Sequence, residues 1–309
     1  MTTNDQSFDL IGIGIAAVDE VVELPAFPQP DTKMPAVSIQ RHGGGQCTTA
    51  LVAAARLGLK CGYAGLLGEN ELSDFTRGYL GREGIAVREN RGFPDARPYY
   101  AVVLVDRSTG DRTILYTKDG VREPRPEDVP LDWLRRTRAL LADQLGPEAT
   151  VSACRIAREL GVEIIADLER VDLPELQEIV RLADHLILPL RIARELTGRS
   201  HPADAVAVLA EQARRCTAVT WGAQGCWFVC GGGVQHQPAY RVAVVDTTGC
   251  GDVFHGAYAA AILDGLAVTE AIRFASATAA LKATRTGGQA GIPSRDAVDR
   301  FLRSAHCVS

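Results

Sequence analysis

The sequence predicts an α/β protein, with a mostly parallel central sheet covered by helices on both faces and a small β-sheet projecting from it. Three observations carry this. Strand-like apolar runs alternate with longer, helix-like runs, the order that builds β-then-α units. The first strand-like run, FDLIGIGI (8–15), is apolar throughout, as a strand buried on both faces is. Two stretches, 18–41 and 86–116, hold strand-like runs broken by prolines and turns with no helix between them, so they cannot belong to the parallel core.

After FDLIGIGI come VDEVVELP and AVSIQR, which flank a link containing Pro25, Pro28 and Pro30. QCTTALVAAARLG (46–58) is alanine-rich and stops at Gly58, a helix with its end signal. CGYAGLLG (61–68) reads as a strand and ELSDFTRGYLGREG (71–84) as a helix. VREN, YYAVVLVD and RTILY, punctuated by FPDARP and RSTGDR, read as antiparallel strands of the projecting sheet. The α/β alternation then resumes. RALLAD (138–143), VEIIADL (162–168), HLILP (185–189) and TAVTW (217–221) are strands, and EATVSACRIARELG (148–161), LPELQEIVRLAD (173–184) and ADAVAVLAEQARR (203–215) are helices. Helices at 252–265, 269–286 and 295–304 close the chain.

With 309 residues, 46% of them apolar and 23% charged, the chain can bury a large core as one domain or two unequal ones. A net charge of −5 does not suit a nucleic-acid binder, which carries a basic face. No apolar run approaches the ~18 residues of a membrane span. MTTNDQSFDL has neither a basic nor an apolar leader region, so a cytoplasmic location is expected. The eight cysteines are scattered without a C-x-x-C and read as buried thiols in a reducing compartment.

The chemistry concentrates in VVDTTGCGDVFHGAYAAAIL (244–263). If Gly249, Cys250 and Gly251 turn into a helix, their backbone N–H groups and the helix dipole converge on one point, a main-chain anion hole. Asp252, in the first turn, can point into the same space or cap the helix. At a helix N-terminus it should stay ionised, a weak base that phosphoryl transfer tolerates. GIGIAA (12–17) partly fits the dinucleotide fingerprint G-x-G-x-x-A, but β-branched residues and prolines follow where that fold needs a helix.

DTTGCGDVFHGAY (246–258) resembles the C-terminal signature of the ribokinase-like (PfkB) carbohydrate kinases, D-T-x-G-A-G-D-x-F, with Cys250 in place of alanine. GGGQCTTALVAAARLG (43–58) resembles the family's N-terminal G-G-x-x-x-N and its alanine-rich helix. The likeness covers nearly the whole chain. It implies one ribokinase-like domain over 1–309, a three-layer α/β/α sandwich whose lid strands come from about 18–41 and 86–116. It also implies ATP-dependent phosphorylation of a sugar hydroxyl, with Mg²⁺ on the nucleotide.

By the same likeness Asp252 is the base, and Gly249, Cys250 and Gly251 form the anion hole. Asp19 hydrogen-bonds sugar hydroxyls at the base of the lid. Gly44 and Gly45 let the sugar approach the backbone, and Thr49 stands where the family has asparagine. Thr220, Gly222 and Gly225, in TWGAQGCWF (220–228), match a strand and turn against the nucleotide, and Ser276 lies near the adenine. Asp246 and Thr248, with Gly287 and Gly291 of TGGQAGIP (286–293), match the region where many members hold a monovalent cation such as K⁺. The uncovered lid sheet implies a homodimer.

One departure concerns magnesium. Relatives carry N-x-x-E before an L-T-G turn, whereas LPLRIARELTG (188–198) has Pro189 and Ile192 there, and Glu195 is shifted onto a solvated helix face. QHQPAYRVAVVDTTGCGDVFHGAY and ALKATRTGGQAGIP resemble sulfofructose-kinase-type members, whose sulfonate would need a cationic clamp, with Arg41 and Arg97 as candidates. His255 reads as a structural histidine. The alternative to a kinase is a non-catalytic sugar or nucleotide sensor on the same scaffold, which Pro189, Ile192 and Thr49 favour and Asp252 opposes.

Overall fold

The computed structural model describes residues 7–89, 92–109, 111–210 and 214–305. Its large sheet is built from β1 (Phe8–Ile13), β4 (Cys61–Tyr63), β5 (Ala86–Val87), β8 (Thr137–Ala142), β9 (Glu163–Asp167), β10 (His185–Pro189), β11 (Cys216–Thr220), β12 (Cys226–Val229) and β13 (Val234–Gln237). In space the order is β13-β12-β11-β10-β9-β8-β1-β4-β5. Seven strands, β5 through β11 in that row, run parallel, and β12 and β13 turn back as an antiparallel edge.

Strand alternation divides the core into two layers. Leu10, Leu141, Ile165, Ile187 and Ala218 face the helices α1 (Gln46–Arg56), α2 (Glu71–Arg82), α8 (Cys250–Leu263), α9 (Val268–Ala283) and α10 (Arg295–Ala305). Their neighbours Ile11, Leu140, Ile164, Leu186 and Val219 face α3 (Leu131–Leu134), α4 (Pro147–Leu160), α5 (Pro174–Leu182), α6 (Leu190–Thr197) and α7 (Pro202–Leu209). Period-two patterning with apolar residues at both phases is what a sheet covered on both sides demands. No helix among the described residues is long and apolar enough to cross a membrane.

Four further strands form a separate sheet: β2 (Ala17–Leu24), β3 (Ser38–Gly44), β6 (Tyr99–Asp106) and β7 (Arg112–Thr117), in the order β3-β2-β6-β7. Two sequence expectations need correction here. The central pair β2 and β6 is parallel, with Ala17 opposite Tyr99, because both strands leave the body of the protein at the same end and run outward. The start of the 86–116 stretch does not join this sheet: Ala86 and Val87 extend the large sheet beside Gly62 and Tyr63. Asn90, the end of VREN, lies outside the described residues, as do positions 211–213 of the helix expected over 203–215.

The two glycine-led helices α1 and α8 cross closely. A Cβ on Gly256 would lie 2.0 Å from the Ala50 carbonyl oxygen, so only glycine permits the approach. The crossing brings their N-termini together, at the carboxyl ends of the strands, where open α/β sheets bind ligands.

Candidate active site

Gly249 caps α8 in the left-handed conformation (φ 72°), and a Cβ there would lie 3.3 Å from both the Gly288 Cα and the Thr49 Cγ2. The Val253 N–H begins the helical ladder by donating to the Gly249 carbonyl at 2.9 Å. The Cys250 N–H turns back to the Thr247 carbonyl at 3.3 Å. Of the three expected donors only Cys250 is engaged in this way, and the amides of Gly249, Gly251 and Asp252 have no acceptor among the described residues. A Cβ on Gly251 would meet nothing within 4 Å. First-turn amides without a carbonyl four residues back, at the positive end of a buried helix, are donors that an anion could use. Cys250 directs its thiol to the Ala279 carbonyl at 3.6 Å, and burial pushes its pKa up, so it is a neutral packing thiol.

Asp252 is half-buried in a carboxylate-rich corner. Burial, then the charges of Asp167, Glu169 and Asp143, raise its pKa well above the ordinary carboxylate value, outweighing the stabilisation by His255. The expectation of a carboxylate kept ionised, and so a weak base, is corrected in direction: desolvation and like charges raise its pKa. Asp167 ends β9, and its Oδ1 accepts from the Gln46 amide at 2.7 Å. Its Oδ2 is buried without a hydrogen-bond partner. Burial raises the Asp167 carboxyl too.

His255 lies one turn beyond, with Nδ1 2.9 Å from the Gly251 carbonyl oxygen and Nε2 3.0 Å from that of Ile187. Both partners are acceptors, so only the doubly protonated ring satisfies both. Burial opposes that charge, and the Asp167 Oδ2 at 3.3 Å supports it. The ring ties the anion-site turn to β10.

On the lid side, the Asp19 carboxylate lies over Gly44 and finds no hydrogen-bond partner among the described residues. Burial alone raises its pKa to about 6. Gly44 and Gly45 were expected to let the sugar approach the backbone, and in the structure the direction a side chain would take at each is occupied by the protein itself. A Cβ on Gly44 would lie 2.1 Å from the Asp19 Oδ2, and one on Gly45 (φ 93°) would strike the backbone of Ile15, Ala16 and Ala17. Thr49 is buried behind the turn, where its hydroxyl accepts from the Gln289 amide at 3.0 Å.

A cavity of about 660 Å³ adjoins the anion site, with Thr220, Gly222, Gly225, Tyr240, Gly251 and Ser276 in its wall. Gly222 (φ 47°) and Gly225 (φ 96°) are also hairpin glycines; a Cβ on Gly225 would strike the Gln237 carbonyl at 2.2 Å. Asp246 accepts from the Thr248 N–H and the Gly287 N–H, each at 2.8 Å, binding the 286–293 loop to the turn. Gly291 lies over the Lys282 carbonyl, with a Cβ position only 3.0 Å away. Pro189 caps α6 and Ile192 is fully buried, and neither has a side-chain oxygen to offer a metal. Arg41 is no free clamp, since Glu20 and Glu71 each hold its guanidinium at 2.6 Å. Arg97 keeps only a loose 3.9 Å approach to Asp119.

Sequence reasoning missed Asp143, Asp167, Gln46 and Lys282. The first two had a signal: the apolar strand runs RALLAD and VEIIAD each end in aspartate, at the carboxyl ends of strands where sites form.

Comparison with known proteins accords with this geometry. The pfkB family carbohydrate kinase pattern matches residues 8–295. A ribokinase from Haemophilus influenzae is 26% identical over 95% of this chain and 98% of its own. The aminoimidazole riboside kinase of Salmonella typhimurium is 29% identical over 84% and 88%. Among solved structures, Thermotoga maritima ribokinase superposes with a TM-score of 0.82 at 24% identity, covering 96% of this chain and 99% of its own. Arabidopsis thaliana ribokinase, complexed with ribose and ATP, gives 0.80 at 24% identity, covering 96% and 99%. The chain belongs to the pfkB carbohydrate kinase family, with a ribokinase-like fold, and is an ATP-dependent carbohydrate kinase.

Proposed function

We propose that the chain transfers the terminal phosphoryl group of ATP to a hydroxyl of a sugar or sugar derivative bound between Asp19 and Asp252. The observation that carries this reading is the pairing of two unengaged amides, at Gly251 and Asp252, with a carboxylate whose pKa is raised, at the mouth of a nucleotide-sized cavity. The Asp252 carboxylate receives the hydroxyl proton as the sugar oxygen bonds to phosphorus. The bond from phosphorus to the bridging oxygen breaks, and ADP leaves with that electron pair. The Gly251 and Asp252 amides hold the equatorial oxygens of the migrating group.

Asp167, whose buried Oδ2 accepts no hydrogen bond and has only the His255 ring at 3.3 Å, and neighbouring Glu169 are the groups that would hold Mg²⁺ in place of the missing N-x-x-E. Bound there, the ion would neutralise phosphate charge. Asp19 holds the sugar from the lid side, and lid closure excludes water from the transfer. The acidic corner, with Arg41 already paired, favours an uncharged substrate over a sulfonated one.

Directly paired strand residues share a face. Asp19, Val21 and Val103 therefore look inward, while Ile39, Val22, Leu104, Val102 and Leu115 lie on the outer face. Ile39 and Leu115 are 67% and 57% exposed, so this outer face is where a homodimer would form. ADP release measured across a panel of sugars tests the activity. Turnover of one sugar, abolished in Asp252→Asn with ATP affinity kept, supports the reading; binding of sugar and ATP without turnover in the wild type would make the protein a sensor.

A further inference from the structure

The resemblance assigned a monovalent cation to the corner formed by Asp246, Thr248 and the 286–293 loop. That corner already holds a positive charge. Lys282, in the last turn of α9, is fully buried, a rare state for lysine. Its Nζ donates to the Asp246 carbonyl at 2.9 Å and stands 3.9 Å from the Asp246 Oδ2. One residue thus offers the ammonium both a carbonyl and a carboxylate oxygen, the pair of donors a potassium ion would use. A second cation among the same oxygens would lie against Nζ in a dry pocket, where water does not screen the repulsion. Among the described residues, the Thr248 hydroxyl and the Gln289 Oε1 are buried there without a hydrogen-bond partner.

Burial lowers the Lys282 pKa from the ordinary lysine value, and the carboxylates of Asp246 and Asp252 work against that fall. Burial raises the Asp246 pKa, but Lys282 and the hydrogen bonds from Thr248 and Gly287 lower it further, leaving it below the ordinary value. The carboxylates of Asp246 and Asp252 and the Cys250 thiol face Lys282 on one side, and Arg112, bonded to the Thr247 hydroxyl at 2.5 Å, lies beyond. Val245 and Asp246 also donate their amides to the Ala283 carbonyl, next to Lys282. The lysine therefore fixes the strand end that leads through Thr247 and Thr248 into the anion-site turn.

We propose that Lys282 is a tethered substitute for the monovalent cation: its ammonium occupies the ion's position, orders the 246–251 turn, and makes the kinase independent of added K⁺. Lys282 touches no substrate, so it acts as a positioning residue. The proposal rests on the kinase reading only for its activity readout.

The test compares KCl with tetramethylammonium chloride at equal ionic strength, reading sugar-dependent ADP release, ATP affinity by calorimetry and the melting temperature. The wild type is expected to give the same values in both salts. Lys282→Ala is expected to lose at least about tenfold in turnover, the worth of a charge-assisted hydrogen bond. K⁺ or methylammonium, but not tetramethylammonium, should restore much of that loss, which a merely structural role would not allow. Should Lys282→Ala not fold, Lys282→Gln is the second variant, and the wild-type comparison stands without either. A wild-type turnover, ATP affinity or melting temperature that rises with K⁺ overturns the proposal, as does a folded variant that loses turnover and is not rescued. Failure of the kinase reading shows differently, as no turnover of any sugar in either salt, and ATP affinity and melting then decide the cation question alone.

Discussion

Two glycine-rich turns open two buried helices that cross each other: Gly43–Gly45 before α1 and Gly249–Gly251 at the start of α8. In sequence they pose the same question, since each suggests a place where backbone and ligand meet. In the structure they differ in what fills them. At the first turn the missing Cβ atoms are replaced by protein: the Asp19 carboxylate over Gly44, and the β2 backbone against Gly45. At the second, Gly251 opens onto empty space with its amide unengaged. A glycine run states that side chains are excluded, and only the tertiary neighbours state whether protein or ligand excludes them.

The sharpest way to break this contrast is to remove the acid that serves the open turn. Asp252→Asn keeps the shape and the amide donors but cannot take a proton. Turnover should fall by about 10³-fold, the usual worth of a general base, while ATP affinity and melting temperature hold. A variant retaining a tenth of wild-type turnover would mean that charge placement rather than proton transfer is what the second turn supplies.

Gly251→Ala tests the emptiness itself. The residue is helical and its Cβ meets no protein, so the fold should be unchanged or slightly firmer, by about 0.5–1 kcal/mol. The methyl would occupy phosphate space, and turnover should drop by about 10²-fold, the cost of spoiling one oxyanion contact. Loss of stability with activity kept would reverse the assignment of the two turns.

Gly44→Ala is the matching experiment at the filled turn. The new methyl must displace the Asp19 carboxylate or the strand, costing about 1–3 kcal/mol of stability. Sugar KM should rise about tenfold through the loss of a charged hydrogen bond, with ATP affinity unmoved. Asp19→Ala combined with Gly44→Ala should be little worse for the sugar than Asp19→Ala alone, because one carboxylate carries both effects.

The same contrast explains how much was legible in the sequence. The β/α order, the separate small sheet and the α8 turn follow from apolar periodicity and from glycine, which are local signals. The parallel pairing of β2 with β6 was hidden because pairing direction depends on where strands leave the body of the protein, which strand content does not encode. Asp143 and Asp167 were overlooked because each ends an ordinary strand run, and neither is informative until the sheet order brings both strand ends beside Asp252. Lys282 sits among alanines on a helix that reads as generic, and its burial comes from packing against a loop far away in sequence.

The smallest expected effect belongs to Asp19, and it separates a carboxylate held for a ligand from one used for structure. A structural carboxylate such as Asp246 has its pKa lowered by its partners. Asp19 has none among the described residues and is raised to about 6 by burial. Its folded-state value lies above the unfolded value, so the native state holds the proton more tightly. The stabilising contribution is then full below about pH 4 and is lost as pH climbs through about 6. The group is only half-buried, so the effect should be discounted to about 2 °C in melting temperature. Asp19→Asn should flatten the melting profile between about pH 4 and 6 relative to wild type, and saturating sugar should flatten it too if hydroxyls bond to the ionised form. A wild-type profile that is steeper than the variant's in the opposite direction, with stability gained as pH rises, would mean that Asp19 has a cationic partner in solution and that the space over Gly44 is filled for structure alone.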